Sequence, residues 1–134
     1  MRFQFINLNE SFADQLPLGY QGKQGKFIQL RHEDIGEIIV FAGRELCTFH
    51  AQIMSFFCQE QSPQWAFDLN TKQDDGELYE DQVQIIGGGY LEILDERKRL
   101  NLSGQSMAFG DYDSYDLDKK LLSTERFKGY RVFC

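Results

Sequence analysis

The stretch KFIQLRHEDIGEIIVFAGRELCTFHAQIMSFFCQEQ, Lys26 to Gln61, decides the fold. Its opening, Lys26–Arg31, alternates: Phe27, Gln29 and Arg31 share one side of an extended chain, Ile28 and Leu30 the other. His32-Glu33-Asp34 turns the chain, and Glu37–Ala42 (EIIVFA) is β-branched and aromatic, the composition of a buried strand. The two runs read as a hairpin. Then the period changes. Phe49, Ile53, Phe56 and Phe57 recur at four and three, which marks one face of a helix. Thr48 is placed to cap it and Pro63 lies beyond its end, so the spacing predicts a helix over Phe49–Gln61 with its apolar face on the sheet.

Towards the N-terminus, Arg2–Asn7 alternates like a short strand, and Leu16–Gly25 is turn-rich through Pro17, Gly19, Gly22 and Gly25. On the other side, residues 64–81 hold Asp68, Asp74, Asp75, Glu77, Glu80 and Asp81 against Lys72. Such a run reads as a solvated acidic insert. Strands are expected over Val83–Gly88, Tyr90–Leu94 and Arg99–Gly104, with Asp95–Lys98 turning the last two. Leu117, Leu121 and Leu122 predict a second helix over about Ser114–Glu125, and Tyr130–Phe133 closes the chain as a strand. The expectation is one α+β domain spanning residues 1–134, a roughly six-stranded mixed sheet with two α-helices packed on it.

Composition narrows the function classes. A chain of 134 residues is long enough for one self-sufficient core, and 42% hydrophobic residues exclude a disordered chain. The net charge of −7 argues against general binding to nucleic acid or membrane surfaces, which needs a basic footprint. Cys47, Cys58 and Cys134 are an odd number without a CxxC pair and read as reduced thiols. No signal core opens the sequence and no window approaches the ~18 apolar residues of a membrane span, so a cytoplasmic protein is expected. Two histidines make a zinc site unexpected, and neither a metal nor another cofactor is called for.

Four short motifs could carry chemistry: Gly25-Lys26-Phe27, Thr48-Phe49-His50-Ala51, Gly87-Gly88-Gly89 and Ser106-Met107-Ala108-Phe109-Gly110. His50 falls in the first turn of the expected helix. It either packs beside the aromatic stripe or acts as general base or nucleophile. A helix start disfavours the imidazolium and offers N–H groups to an anion. Small residues in Ser106–Ala108 would let backbone N–H groups converge on phosphate, with the Ser106 hydroxyl as an added donor, or the motif is only a bend after a strand. The Gly87–Gly89 run permits a bulge or a close backbone approach and is read as shaping the pocket floor. No GK[ST] follows it, so nucleotide binding has no support. Lys26 opens a strand, where a lysine is ordinarily solvated, and Arg31 should face the opposite way. His32 is expected at the surface. Asp111, Asp113, Asp116 and Asp118 lack the spacing of a calcium loop and read as capping and solvating the second helix.

In order and spacing, these motifs resemble the fourteen-kilodalton protein phosphohistidine phosphatases, also called the Janus/Ocnus family, over about Lys26–Val132. The resemblance implies a metal-independent phosphatase acting on phosphohistidine or a related phosphoramidate, with a phosphorylated protein or a small phosphoramidate as partner. It implies His50 as the catalytic histidine, Lys26 as the cation beside the phosphoryl group, Ser106, Met107 and Ala108 as its cradle, and a monomer. Tyr90 stands where the family often has arginine, Gln105 where it has an aromatic residue, and Ser114 where some members have a second histidine. These changes motivate an alternative on the same fold, a non-catalytic module that binds an anion or a phosphoprotein. A third idea is an adaptor that uses the acidic insert.

Overall fold

A computed structural model describes residues 2–17, 22–33, 36–61, 67–68, 77–78 and 83–134. Strand β1 (Phe3–Asn7) leads into a short helix α1 (Leu8–Ser11) and a 3-10 turn (Ala13–Gln15). The hairpin strands β2 (Gln24–His32) and β3 (Gly36–Gly43) follow, then helix α2 (His50–Gln61). A two-residue pair, β4 (Phe67–Asp68) and β5 (Glu77–Leu78), precedes the long strand β6 (Val83–Leu94). After a 3-10 turn (Asp95–Arg97) come β7 (Arg99–Ser103), helix α3 (Leu117–Leu122) and β8 (Arg131–Phe133).

Six strands form one mixed sheet in the order β1-β3-β2-β6-β7-β8, antiparallel at its centre, with β1 and β8 running parallel to their neighbours at the two edges. Both faces are covered, because β2 and β3 are apolar on both sides. Ile28, Leu30, Ile38 and Val40 pack with Ile53, Met54 and Phe57 of α2 and with Leu8 of α1. Phe27, Ile39 and Phe41 point the other way, into a core with Leu91, Leu100, Leu117, Leu121 and Phe127 under α3. Burying each of these large side chains contributes about 1.5–3 kcal/mol against leaving it in water. The expected α+β fold is therefore the observed one.

Several local expectations are corrected. The Gly87–Gly89 run does not separate two strands; β6 passes through it unbroken. Glycine is needed there for close neighbours: a Cβ on Gly87 would fall 1.9 Å from the Asp111 carbonyl oxygen. The C-terminal helix is shorter than Ser114–Glu125. Asp116 enters it at φ 54°, a left-handed conformation, so no helical turn precedes Leu117. It stops where the Ser123 and Thr124 hydroxyls donate back to the carbonyls of Lys120 and Leu121. The α2 cap is not the Thr48 side chain: Gln52 Oε1 accepts from the N–H groups of Thr48 (2.7 Å) and Phe49 (2.9 Å), the reaching-back half of a capping box.

His32 is not a surface residue; it is buried at the end of β2, where even-numbered side chains enter the α2 face. The aspartates near α3 do not cap it through their side chains: Asp116 makes no side-chain cap bond, and Asp113 Oδ1 accepts from Tyr115 N–H. Within the acidic segment 64–81, the described residues form the β4–β5 ladder, and the rest of that expectation lies outside the described residues.

Candidate functional site

Beyond β3 the chain turns tightly, with Leu46 and Cys47 donating to the Gly43 carbonyl, and α2 starts part-way across one face of the sheet. The uncovered remainder of that face is a cavity of about 600 Å³. Strand β2 lines it with Gln24 and Lys26, β6 with Tyr90 and Glu92, and the β3–α2 turn with Arg44 and Thr48. Lys26 and Arg31 do face opposite ways, as alternation requires. Lys26 reaches the start of α2, while Arg31 joins Glu37 and Lys120 in the other layer.

His50 is buried to 6% exposure and does not itself line this cavity, but Thr48, two residues before it, and Tyr90, against its ring, both do. Its Nε2 lies 2.9 Å from the Gly89 carbonyl oxygen. A carbonyl only accepts, so Nε2 carries the proton and a neutral ring then has its lone pair on Nδ1. The imidazole packs against Gly88: a Cβ there would lie 3.0 Å from His50 Cδ2 and 3.3 Å from Ser106 Cβ. The glycine run and the serine loop thus meet at the histidine. Glycine at 88 is what lets helix, strand and loop close together, since the same Cβ would fall 2.5 Å from the Phe27 carbonyl oxygen. The edge of the Tyr90 ring completes the surround, with ring centroids 6.1 Å apart.

Lys26 Nζ donates to the Thr48 carbonyl at 2.6 Å and lies 5.7 Å and 5.8 Å from the ring centres of Phe49 and Tyr90. It ties β2 to the entrance of α2 and brings a cation beside His50. The Ser106 loop closes on itself, with Ser106 and Gly110 exchanging backbone hydrogen bonds (3.1 and 2.8 Å) and Ser106 Oγ accepting from Phe109 N–H. Ser106 is buried, and its Oγ accepts one hydrogen bond inside the turn. The N–H groups of Met107 and Ala108 make no hydrogen bond among the described residues, and the Met107 side chain is 93% exposed. Of the three residues expected to form a cradle, Met107 and Ala108 keep N–H groups that no described residue uses, and Ser106 keeps its hydroxyl hydrogen.

Cys47 also lines the cavity, but burial pushes its thiol up to about 12, so it holds almost no thiolate at neutral pH. No group of three His, Cys, Asp or Glu side chains able to hold a metal ion occurs among the described residues. No described helix is long and apolar enough to cross a membrane.

Sequence reasoning found His50, Lys26, Gly88 and the serine loop, and the structure brings these together. It missed Arg44, Glu92, Gln24, Asn101 and Ser103, which also line the cavity. Only the strand register sets three of them side by side, Gln24 opposite Glu92 and Glu92 opposite Asn101.

The model of the Janus/Ocnus family matches residues 22–131. No curated protein matches the chain closely enough to count as a relative. The match corrects the resemblance drawn from the motifs. That resemblance identified the chain with the fourteen-kilodalton phosphohistidine phosphatases, an identification that does not stand: the match reaches the Janus/Ocnus family and brings no phosphohistidine phosphatase activity with it. The matched segment takes in β2, the start of α2, the glycine run and the serine loop, and the chain belongs to the Janus/Ocnus family.

Proposed function

We propose that this chain is a metal-independent phosphatase that cleaves P–N bonds, in phosphohistidine or a related phosphoramidate. The observation that carries the reading is the fixing of the His50 ring: Nε2–H donates to the Gly89 carbonyl while the ring packs on Gly88 beside Ser106. A ring held this way keeps one tautomer and one orientation, and its Nδ1 lone pair is the reactive end.

Two routes follow from that lone pair. As a base, Nδ1 takes a proton from water, the water oxygen bonds to phosphorus, and the P–N bond breaks with its electron pair on the leaving nitrogen. As a nucleophile, Nδ1 itself bonds to phosphorus while the old P–N bond breaks, and water then cleaves the phosphorylated ring. In both, the leaving nitrogen takes up a proton. Lys26 balances charge on the phosphoryl oxygens, and the N–H groups of Met107 and Ala108 supply directed donors. In this reading the protein works as a cytoplasmic monomer, and its three unpaired cysteines fit a reducing compartment.

One observation favours a second reading, a non-catalytic module binding an anion or a phosphoprotein. Lys26 already donates to Thr48 and Ser106 already accepts from Phe109, so both are held in place by the protein without a substrate. The test is phosphate release from phosphohistidine and phosphoramidate in the presence of a chelator. The phosphatase reading expects turnover by the wild type and a fall of ~100-fold or more in His50→Ala, the scale of one positioned acid–base group. Binding of phosphate analogues without turnover would favour the module.

A further inference from the structure

We infer that the cavity beside His50 takes a ligand carrying a positive charge next to its phosphoryl group, with Glu92 as the counter-charge. The inference rests on the reading above for where the phosphoryl group sits, and it adds the class of ligand.

Charge of both signs lines the cavity. Lys26 stands in the row of Tyr90, whose ring lies beside that of His50. One step along the strands stands Glu92, in the row of Gln24, with Arg44 on the other side of Gln24 and donating its backbone N–H to it. Lys26 lies directly across from Tyr90, and Gln24 directly across from Glu92, two residues further along β6 or about 7 Å. The carboxylate is held in place rather than left loose. Gln24 Nε2 donates to Oε2 at 2.7 Å and Asn101 Nδ2 donates to Oε1 at 3.2 Å. The Asn101 amide is itself oriented, because Arg99 Nε donates to its Oδ1 at 2.9 Å.

Both partners of Glu92 are neutral amides. None of the ion pairs among the described residues includes Glu92, whereas Glu37, Asp95 and Asp116 each have a lysine or arginine. An ionised carboxylate has about four acceptor positions, and the amides fill two. A carboxylate fixed by neutral donors at a cavity wall is complementary to an ammonium or guanidinium group arriving with the ligand. The net charge of −7 favours the approach of such a group as well. The shared chemistry is a phosphorylated nitrogen close to a basic group, supplied either by a small phosphorylated diamine or by a basic peptide.

The experiment measures equilibrium binding to the full chain carrying His50→Ala, so that nothing turns over, after circular dichroism has verified its fold. The small probe is the amide of Nε-phospholysine with its α-ammonium free or acetylated. The peptide probe is a phosphohistidine peptide with lysine or acetyl-lysine beside the phosphohistidine. The charged form of at least one probe should bind about tenfold tighter than its acetylated form, the scale of one hydrogen bond to a charged group. Which probe discriminates assigns the source. Adding Glu92→Gln should bring the ratio to about one, and Glu92→Ser serves if that variant does not fold. Equal binding of charged and acetylated forms in both probes overturns the inference, as does a preference that survives loss of Glu92. The phosphatase reading fails separately: turnover untouched by His50→Ala would sink it and leave this affinity ratio standing.

Discussion

Strand β2 serves both faces of the sheet, and charge is handled differently on each. In the α3 layer the buried carboxylate of Glu37 meets two cations, Arg31 Nη2 at 3.1 Å and Lys120 Nζ at 3.1 Å. That cluster is closed: its charges answer one another and join β2, β3 and α3. In the α2 layer, Lys26 is held by a backbone carbonyl, His50 by another, and Glu92 by two amides. Neutral groups there fix the geometry and leave the charge unanswered. The difference is between charge closed within the fold and charge held by neutral groups.

Breaking the closed side should have the largest effect on stability. Glu37→Gln leaves Arg31 and Lys120 facing each other without a counter-charge, and Arg31 Nε is already buried without a hydrogen-bond partner among the described residues. Both cations are about a third exposed, so the loss falls at the low end for a broken buried pair, about 3 kcal/mol. Denaturant unfolding measures it, and phosphate release per folded molecule should be unchanged.

On the open side the balance should reverse. Gly88→Ala forces a methyl group against the Phe27 carbonyl and the His50 ring, costing about 1–3 kcal/mol. Turnover should fall much further than the folded fraction does, because the ring moves. Equal losses in the two measurements would place Gly88 with the fold and not with the site.

The smallest effect concerns pH and lies away from both clusters. Burial pushes the Asp95 carboxyl up, but hydrogen bonds from Lys23, Tyr130 and Arg126 outweigh it and hold the group at about 2. A depressed carboxyl stabilises the fold above its unfolded value, near 4, and loses that contribution as pH falls towards 2. Asp95→Asn should flatten stability against pH over that window, and acid unfolding of the two proteins measures the difference.

Much of the fold was legible because it repeats locally. Alternation in Lys26–Arg31 and the four-and-three spacing from Phe49 to Phe57 are properties of neighbouring residues, and β2, β3 and α2 fall where those patterns put them. What failed depended on partners distant in sequence. His32 looked exposed beside Glu33 and Asp34, yet its position on the α2 face buries it. The glycine run did signal the close approach that Asp111, Phe27 and Ser103 make, but not that one strand runs through it unbroken. At the site, His50 and the serine loop were legible as motifs. The Gln24–Glu92–Asn101 row was not, because no local pattern encodes cross-strand register.

The central claim is that the α2 face carries out phosphoryl chemistry through His50. Its most direct test is chelator-treated release of phosphate from phosphoramidate by wild type and His50→Ala, both verified as folded. The account predicts measurable turnover in the wild type and a fall of ~100-fold or more in the variant. A wild type no faster than buffer, or a variant as fast as the wild type, would contradict it.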